Sequence, residues 1–313
     1  MIYWKNIRNF WNKSIRFGVF IPLSNLLLIY GKYLLSNRIL LYIFKKRNLV
    51  IEKKIQNLVP VYPQNELGKG YDKNAPIWCF WLQGESQMPD IPRLCLQSIR
   101  KFSNGHPVYL LTWSNFREYV NIPSYIIDLY NRGRITPTHF SDILRMSLLS
   151  QNGGFWLDAT MFITKPLPEC IFSAPLFSIR NKPYGFFVSR CRWTGFCMAS
   201  WANCILPRGV NEVLRYYWKK ETTLIDYFII DYIIDMLYQS NNEIKNLIDD
   251  IPYNNENVHE LTPLLCDTFD EYHFQELTKE TFLFKLNWRK YTTAELERAP
   301  NNYYHYLVDL VSH

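Results

Sequence analysis

The residues of this chain best placed to do chemistry are Asp142, Arg145 and Asp158. The first two lie three apart, so on a helix they occupy neighbouring positions of one face. Asp158 is the only charge in the apolar run FWLDATMFI, residues 155–163. An ionised carboxylate buried in such a run costs several kcal/mol unless paired or metal-bound, which places Asp158 where a strand opens into a cleft. An acid, a guanidinium and a second acid converging there can grip a nucleotide diphosphate. Alone, Asp142 and Arg145 would more often form a solvated ion pair worth a few tenths of a kcal/mol. The glycines and the strand that follow favour the ligand-binding reading.

The elements that must position these groups are legible nearby. Thr136 or Thr138 can cap a helix that tolerates Pro137 in its first turn. Phe140, Ile143, Leu144, Ser147 and Leu148 then follow at amphipathic spacing. Gly153 and Gly154 end the helix, and residues 155–163 read as a strand buried on both faces. Ligands of open α/β sheets bind outside such strand ends. Elsewhere, residues 77–82 predict a strand, 92–102 a helix, 108–112 a strand and 125–131 a short helix. Residues 180–210 read as loop and short strands, and 212–238 as helix. This alternation favours a mostly parallel sheet. Trp81, beside Gln83 and Gly84 at a strand end, is either core or a platform on which a nucleobase stacks. His139 reads as a local hydrogen-bonding residue of the helix's first turn.

Residues 141–160 resemble the S-D-x-x-R…G-G-x-[WY]-[LI]-D-x-[DT] core of the capsular polysaccharide synthesis family, which is related to glycosyltransferase family 32 and, more distantly, to the large clostridial glucosylating toxins. The likeness extends to IWCFWLQG (77–84), CLQSIRKFS (95–103), residues 119–136, IDYFIIDYIIDMLY (225–238) and FKLNWRK (284–290), in the family's order. It implies an α/β fold of GT-A type: a Rossmann-like, mostly parallel sheet in a single catalytic domain over 71–313, with a helical extension over 1–70. It also implies a hexosyltransferase that retains anomeric configuration. Donor contacts are then expected from Trp81, Gln83, Gly84, Asp142, Arg145, Lys285, Trp288 and Lys290, with Lys285, Arg289 and Lys290 closing over the diphosphate. Metal-binding D-x-D sites carry two acids, whereas this chain has Asp158-Ala159-Thr160. Because Mg²⁺ can be held by one or two carboxylates with phosphates and water, Asp158 with Thr160 is the expected site for Mg²⁺ or Mn²⁺. Of Asp226 and Asp231, five apart on an apolar helix, at most one faces the donor. Asp226 is the expected catalytic partner of Asp158, orienting a sugar or acceptor hydroxyl.

Charge is divided unevenly. Residues 1–60 hold eleven Lys and Arg against Glu52 alone, a balance of +10 in a chain of net charge +7, so the remainder sums to −3. The apolar stretches 17–30 and 34–44 are interrupted by Pro22, Ser24, Asn25, Lys32 and Arg38 and fall short of a spanning helix. Basic residues interleaved with Trp4, Trp11, Phe17, Phe20 and Tyr33 predict helices lying in an anionic membrane surface; the alternative is an extension packed on the catalytic domain. Nucleic acid is not an expected partner, since no recognisable module accompanies the basic stretch. Seven cysteines without C-x-x-C pairs read as thiols in a reducing compartment. The expected protein is therefore peripheral on the cytoplasmic face of a membrane. There it would transfer sugar from a nucleotide-sugar to a lipid-linked or polymeric glycan in bacterial capsule or other surface-polysaccharide assembly. A non-catalytic sugar-nucleotide-binding scaffold is the alternative that the missing second acid suggests. An epimerase or oxidoreductase is disfavoured, because no G-x-G-x-x-G loop follows the first strand.

Overall fold

The computed structural model describes residues 2–57 and 68–312, with side chains from residue 10 onward. The Trp4 side chain and the stretch 58–67, just ahead of the expected boundary at residue 70, lie outside the described residues. Three helices open the chain: α1 (Ile2–Phe17), α2 (Phe20–Tyr30) and α3 (Asn37–Gln56). The body begins β1 (Ile77–Phe80), α4 (Asp90–Lys101), β2 (Val108–Leu111), α5 (Ser124–Asn131), α6 (Pro137–Asn152), β3 (Gly154–Leu157) and β4 (Met161–Ile163). It continues through α7 (Cys170–Ser173), β5 (Leu176–Ser178), β6 (Cys197–Ser200), α8 (Ile205–Lys220), α9 (Ile229–Ser240) and α10 (Asn242–Asp249). The C-terminal part holds α11 (Leu261–Leu264), α12 (Glu271–Thr278), β7 (Leu283–Lys285), α13 (Thr293–Leu296) and α14 (Tyr303–Ser312).

The central sheet has the order β2-β1-β3-β6-β5. β1 is parallel to β2 and β3, while β6 runs antiparallel to both of its neighbours. Four strands therefore point one way and β6 alone runs against them, so the sheet is mostly parallel but mixed. Period-2 alternation splits the side chains between two layers. Trp78, Trp156 and Met198 join the core beneath α6, α8 and α9, whereas Ile77, Cys79, Phe155, Leu157 and Cys197 face the opposite layer. The second sheet, β4 with β7, is antiparallel.

Two expected elements are each broken in two. Residues 155–163 form not one strand but β3 and β4, joined by Asp158-Ala159-Thr160, because β4 leaves the main sheet to pair with β7. Met161 and Ile163 pack in the layer of β1 and β3, while Phe162 packs with the C-terminal helices. Likewise, 212–238 is interrupted between α8 and α9. Before α9, the Asp226 carboxylate turns back to accept from the Phe228 N–H at 3.0 Å, a local bond that competes with helix continuation.

Gly153 and Gly154, after α6, have φ of +68° and +94°. A Cβ at Gly153 would stand 2.4 Å from Ala202 N and one at Gly154 2.3 Å from Pro76 O. The glycine pair thus lets α6 stop abruptly and β3 run closely between its neighbours. At the other end Thr136 caps α6, accepting from the His139 N–H at 3.2 Å.

The N-terminal helices are attached through α3, which packs on α9, and through α1 and α2, whose Arg16 pairs with Glu221 at the end of α8 and whose Phe17 and Ile21 are buried in the main core. Ile51 and Ile55 are fully buried in the same core as Ile229 and Ile233. Arg47, also buried, donates to the Asp226 carboxylate and the Tyr232 hydroxyl. The opposite surface of these helices is apolar and exposed, with Ile15, Phe20, Leu23, Ile29, Tyr33 and Leu34 all in solvent. Among the described residues no helix is long and apolar enough to cross a membrane.

Candidate active site

A cleft of about 1250 Å³ opens where β1 and β3 end. That exceeds the roughly 300–1,000 Å³ of ordinary small-molecule pockets. Its centre is a charged cluster built by three elements. α6 presents Asp142 and Arg145, the turn after β3 presents Asp158, and the end of β7 presents Lys285.

Arg145 is 5% exposed. Its Nη1 lies 3.3 Å from Asp142 Oδ1 and its Nη2 donates to Asp158 Oδ1 at 3.1 Å. The guanidinium stands 5.2 Å from the centre of the Trp156 ring, and room for it exists because residue 195 is glycine: a Cβ there would sit 2.8 Å from Nη1. The pair is therefore not a solvated surface bridge. Asp158 Oδ1 also accepts from Trp156 Nε1 at 2.9 Å, and Oδ2 accepts from Lys285 Nζ at 2.6 Å. Burial alone would push the Asp158 carboxyl up, but Lys285 and Arg145 outweigh it and hold the group below its ordinary value.

His139 links Trp218 of α8 to Asp142. Its Nε2 accepts from Trp218 Nε1 at 3.0 Å, and its Nδ1 faces Asp142 Oδ2 at 3.4 Å.

On the opposite wall stands Asp231, in the first turn of α9. Trp193 Nε1 donates to its Oδ1 at 2.8 Å. Burial above all pushes its carboxyl up to about 6; the Trp193 N–H opposes this, and the nearby Asp142 adds to it. Asp226, expected to take this place, does not line the cleft: it is 3% exposed and paired with Arg47. The physical reason is the break before α9, which turns Asp226 toward α3 and leaves the first helical turn to aim Asp231 inward.

The rim is aromatic. Trp81 and Trp288 meet edge to face with centroids 5.9 Å apart, and Gln83 lies beside them. Gly84 is not part of the lining; at φ +89° it makes the turn in which its N–H bonds Trp81 O at 3.0 Å. Of the three basic residues expected over a diphosphate, Lys285 and Arg289 line the cleft, and Lys290 lies outside it, exposed against Tyr291. Sequence reasoning missed Trp156, Trp193 and Gly195. For the last two, the aromatic and glycine pattern of R-W-T-G-F (192–196) was the available signal.

Asp158 and Thr160 were expected to hold a divalent cation. Both Asp158 oxygens are already engaged by cationic or N–H donors, and Thr160 is neutral. Among the described residues, no three His, Cys, Asp or Glu side chains are grouped to hold an ion. This set does not fit a metal while Lys285 is in place.

A family model described as "Capsular polysaccharide synthesis protein" matches residues 33–307. "O-glycosyltransferase braB" of Annulohypoxylon truncatum is 27% identical over 173 residues, 49% of this chain and 39% of that protein, so the chain spans well under half of that relative. The solved structure of "PaToxG Glycosyltransferase" aligns with 86% of this chain and 97% of that chain at 17% identity, with a TM-score of 0.36.

Proposed function

The chain belongs to the capsular polysaccharide synthesis family, and on that premise we propose that it is a glycosyltransferase moving a hexose from a nucleotide-sugar to a hydroxyl of a lipid-linked or polymeric glycan in bacterial capsule or related surface-polysaccharide assembly. One observation carries the reading. A single cleft gathers an aromatic rim, a cationic centre and a carboxyl of raised pKa, from elements separated by most of the chain. Transfer to oxygen is supported by the name of the curated relative.

In this reading Trp81 and Trp288 receive the base, and Asp142 and Arg145 hold the ribose and sugar. Arg145, Lys285 and Arg289 face the charge that develops on the leaving diphosphate; preorganised charge of this kind is usually the largest catalytic term. Asp231, across the cleft, orients a sugar or acceptor hydroxyl and accepts its hydrogen bond as a carboxylate. The two indoles and Phe196 exclude water around the centre, which strengthens each of these interactions. Retention of anomeric configuration is the expected stereochemical outcome.

The N-terminal helices lie on an anionic, cytoplasm-facing membrane surface. Their exposed apolar face, bordered by Lys32, Arg38, Lys45 and Lys46, has the make-up of an interfacial anchor. Phe44 of α3 meets Phe186 with centroids 5.8 Å apart, and Phe187 beside it lines the cleft. That continuity favours a lipid-linked acceptor arriving along the apolar face.

The test is a panel of sugar nucleotides given to the purified protein with detergent-solubilised lipid-linked glycans, reading released nucleoside diphosphate and product mass. Transfer from one donor is expected. Failure of every donor to bind or react would overturn the reading.

A further inference from the structure

We propose that the Lys285 ammonium, held on Asp158, takes the charge-neutralising place of a divalent cation at the donor diphosphate, so that donor binding requires no metal. This rests on the nucleotide-sugar reading above.

The position of Lys285 is fixed by the backbone. It pairs directly with Met161 across the small sheet. Its N–H bonds Val258 O at 2.7 Å, and the N–H of Leu286 bonds Thr160 O at 2.8 Å. Strand pairing therefore places residue 285 beside the Asp158-Ala159-Thr160 turn. Nζ then contacts Asp158 Oδ2 at 2.6 Å and lies 4.9 Å from the centre of the Phe196 ring.

An ammonium has three donors. One is spent on Asp158, and the side chain, 23% exposed, lines the cleft. The remaining donors are available to phosphate oxygens. The other Asp158 oxygen is occupied by Trp156 and Arg145. A divalent ion bound at this carboxylate would have to displace Lys285 from Oδ2 and stand beside Arg145, whose other partner is Asp142. Where a second acid would assist, Thr160 offers an uncharged hydroxyl. Arg289, on the same wall, adds a further cation.

The experiment is calorimetric titration of UDP, GDP, ADP and CDP into the full-length protein, once in EDTA and once in millimolar MnCl₂. The diphosphate that binds is expected to do so in EDTA, with a Kd within about threefold of its value in Mn²⁺. Lys285→Ala should weaken binding in EDTA by about tenfold or more, the loss of a charge-assisted hydrogen bond, and Lys285→Arg should recover most of it. In Lys285→Ala, Mn²⁺ should restore part of the affinity, because Asp158 Oδ2 has been released. Wild-type binding that disappears in EDTA overturns the proposal and leaves the glycosyltransferase reading standing, as does wild-type affinity in Lys285→Ala. Absence of binding under both conditions overturns both. Should Lys285→Ala fail to fold, the two wild-type titrations decide alone.

Discussion

Arg145 is the residue at which a surface ion pair and a working site make the most different forecasts. An exposed pair contributes well under about 1 kcal/mol, so Arg145→Ala would then be silent. Here the guanidinium is buried between Asp142 and Asp158. Removing one partner of a buried pair costs about 3–5 kcal/mol, so Arg145→Ala tests folding as much as function. Arg145→Lys is the sharper change. It keeps the charge, but a single ammonium cannot span the two carboxylates that the planar fork reaches at 3.3 and 3.1 Å. Loss of one charge-assisted hydrogen bond is worth roughly 1.5–3 kcal/mol, which predicts a fall in kcat/KM between about tenfold and somewhat over a hundredfold. Gly195→Ala is a second probe that leaves every charge in place. Its Cβ meets only the tip of Arg145, at 2.8 Å, so the fold should survive while the guanidinium moves and activity drops. Steady-state kinetics on the identified donor, with thermal melts with and without nucleotide, measure both. Arg145→Lys with wild-type kcat/KM and an unchanged nucleotide-induced shift in Tm would refute this assignment.

Other outcomes follow from the same geometry. The Asp231 carboxyl is raised from its ordinary value of 3.8 to about 6, so the stability it contributes is present at low pH and is lost as pH rises through 6. Asp231→Asn should therefore melt higher than wild type at pH 8, with the difference vanishing near pH 4, and the rise of kcat/KM through pH 6 should be absent from the variant; matching melting curves at pH 8 would count against this. Deleting residues 1–35 should release the protein from anionic vesicles and leave a folded domain of lower Tm, since the core loses Phe17 and Ile21 and the buried Glu221 loses Arg16, as flotation and circular dichroism would report. Deleting 1–57 should unfold it, because Asp226 is left buried without its partner at about 3–5 kcal/mol and the packing of Ile51 and Ile55 is lost at roughly 1.5–3 kcal/mol each, a total comparable with the whole stability of a domain. Trp81→Ala should raise the KM for donor with little change in kcat, as expected for a group that binds ground and transition states alike; an effect on kcat alone would remove it from the base platform.

The centre of the site was readable because its signals are local. The spacing of Asp142 and Arg145, the cap at Thr136, the glycine stop and the isolated charge of Asp158 all lie within about twenty-five residues of one another. Lys285 was reached through resemblance, not pattern. What stayed hidden depends on distant partners. Nothing around Asp226 and Asp231 says that Arg47 claims the first and Trp193 the second. The apolar run through 163 gives no sign that it changes sheets at Asp158, because Ala159-Thr160 carries no turn chemistry and the change is imposed by pairing with β7. The N-terminal helices show a similar limit: their basic and aromatic composition announced an exposed face, while the residues that bind α3 to α9 are ordinary isoleucines and one arginine among many.

That change of sheets has a consequence for which alterations the chain can accept. The link between Leu157 and Met161 is clamped at both ends, by β3 in one sheet and β4 in the other. Inserting or deleting a single residue there would rotate β4 by one position and exchange its two faces, sending Phe162 into the layer that now holds Met161 and Ile163 and those two into the C-terminal core. The length of this turn is thus fixed by packing on both sides of it. The turn cannot be lengthened to make room for a different ligand without repacking the layers on both sides of it.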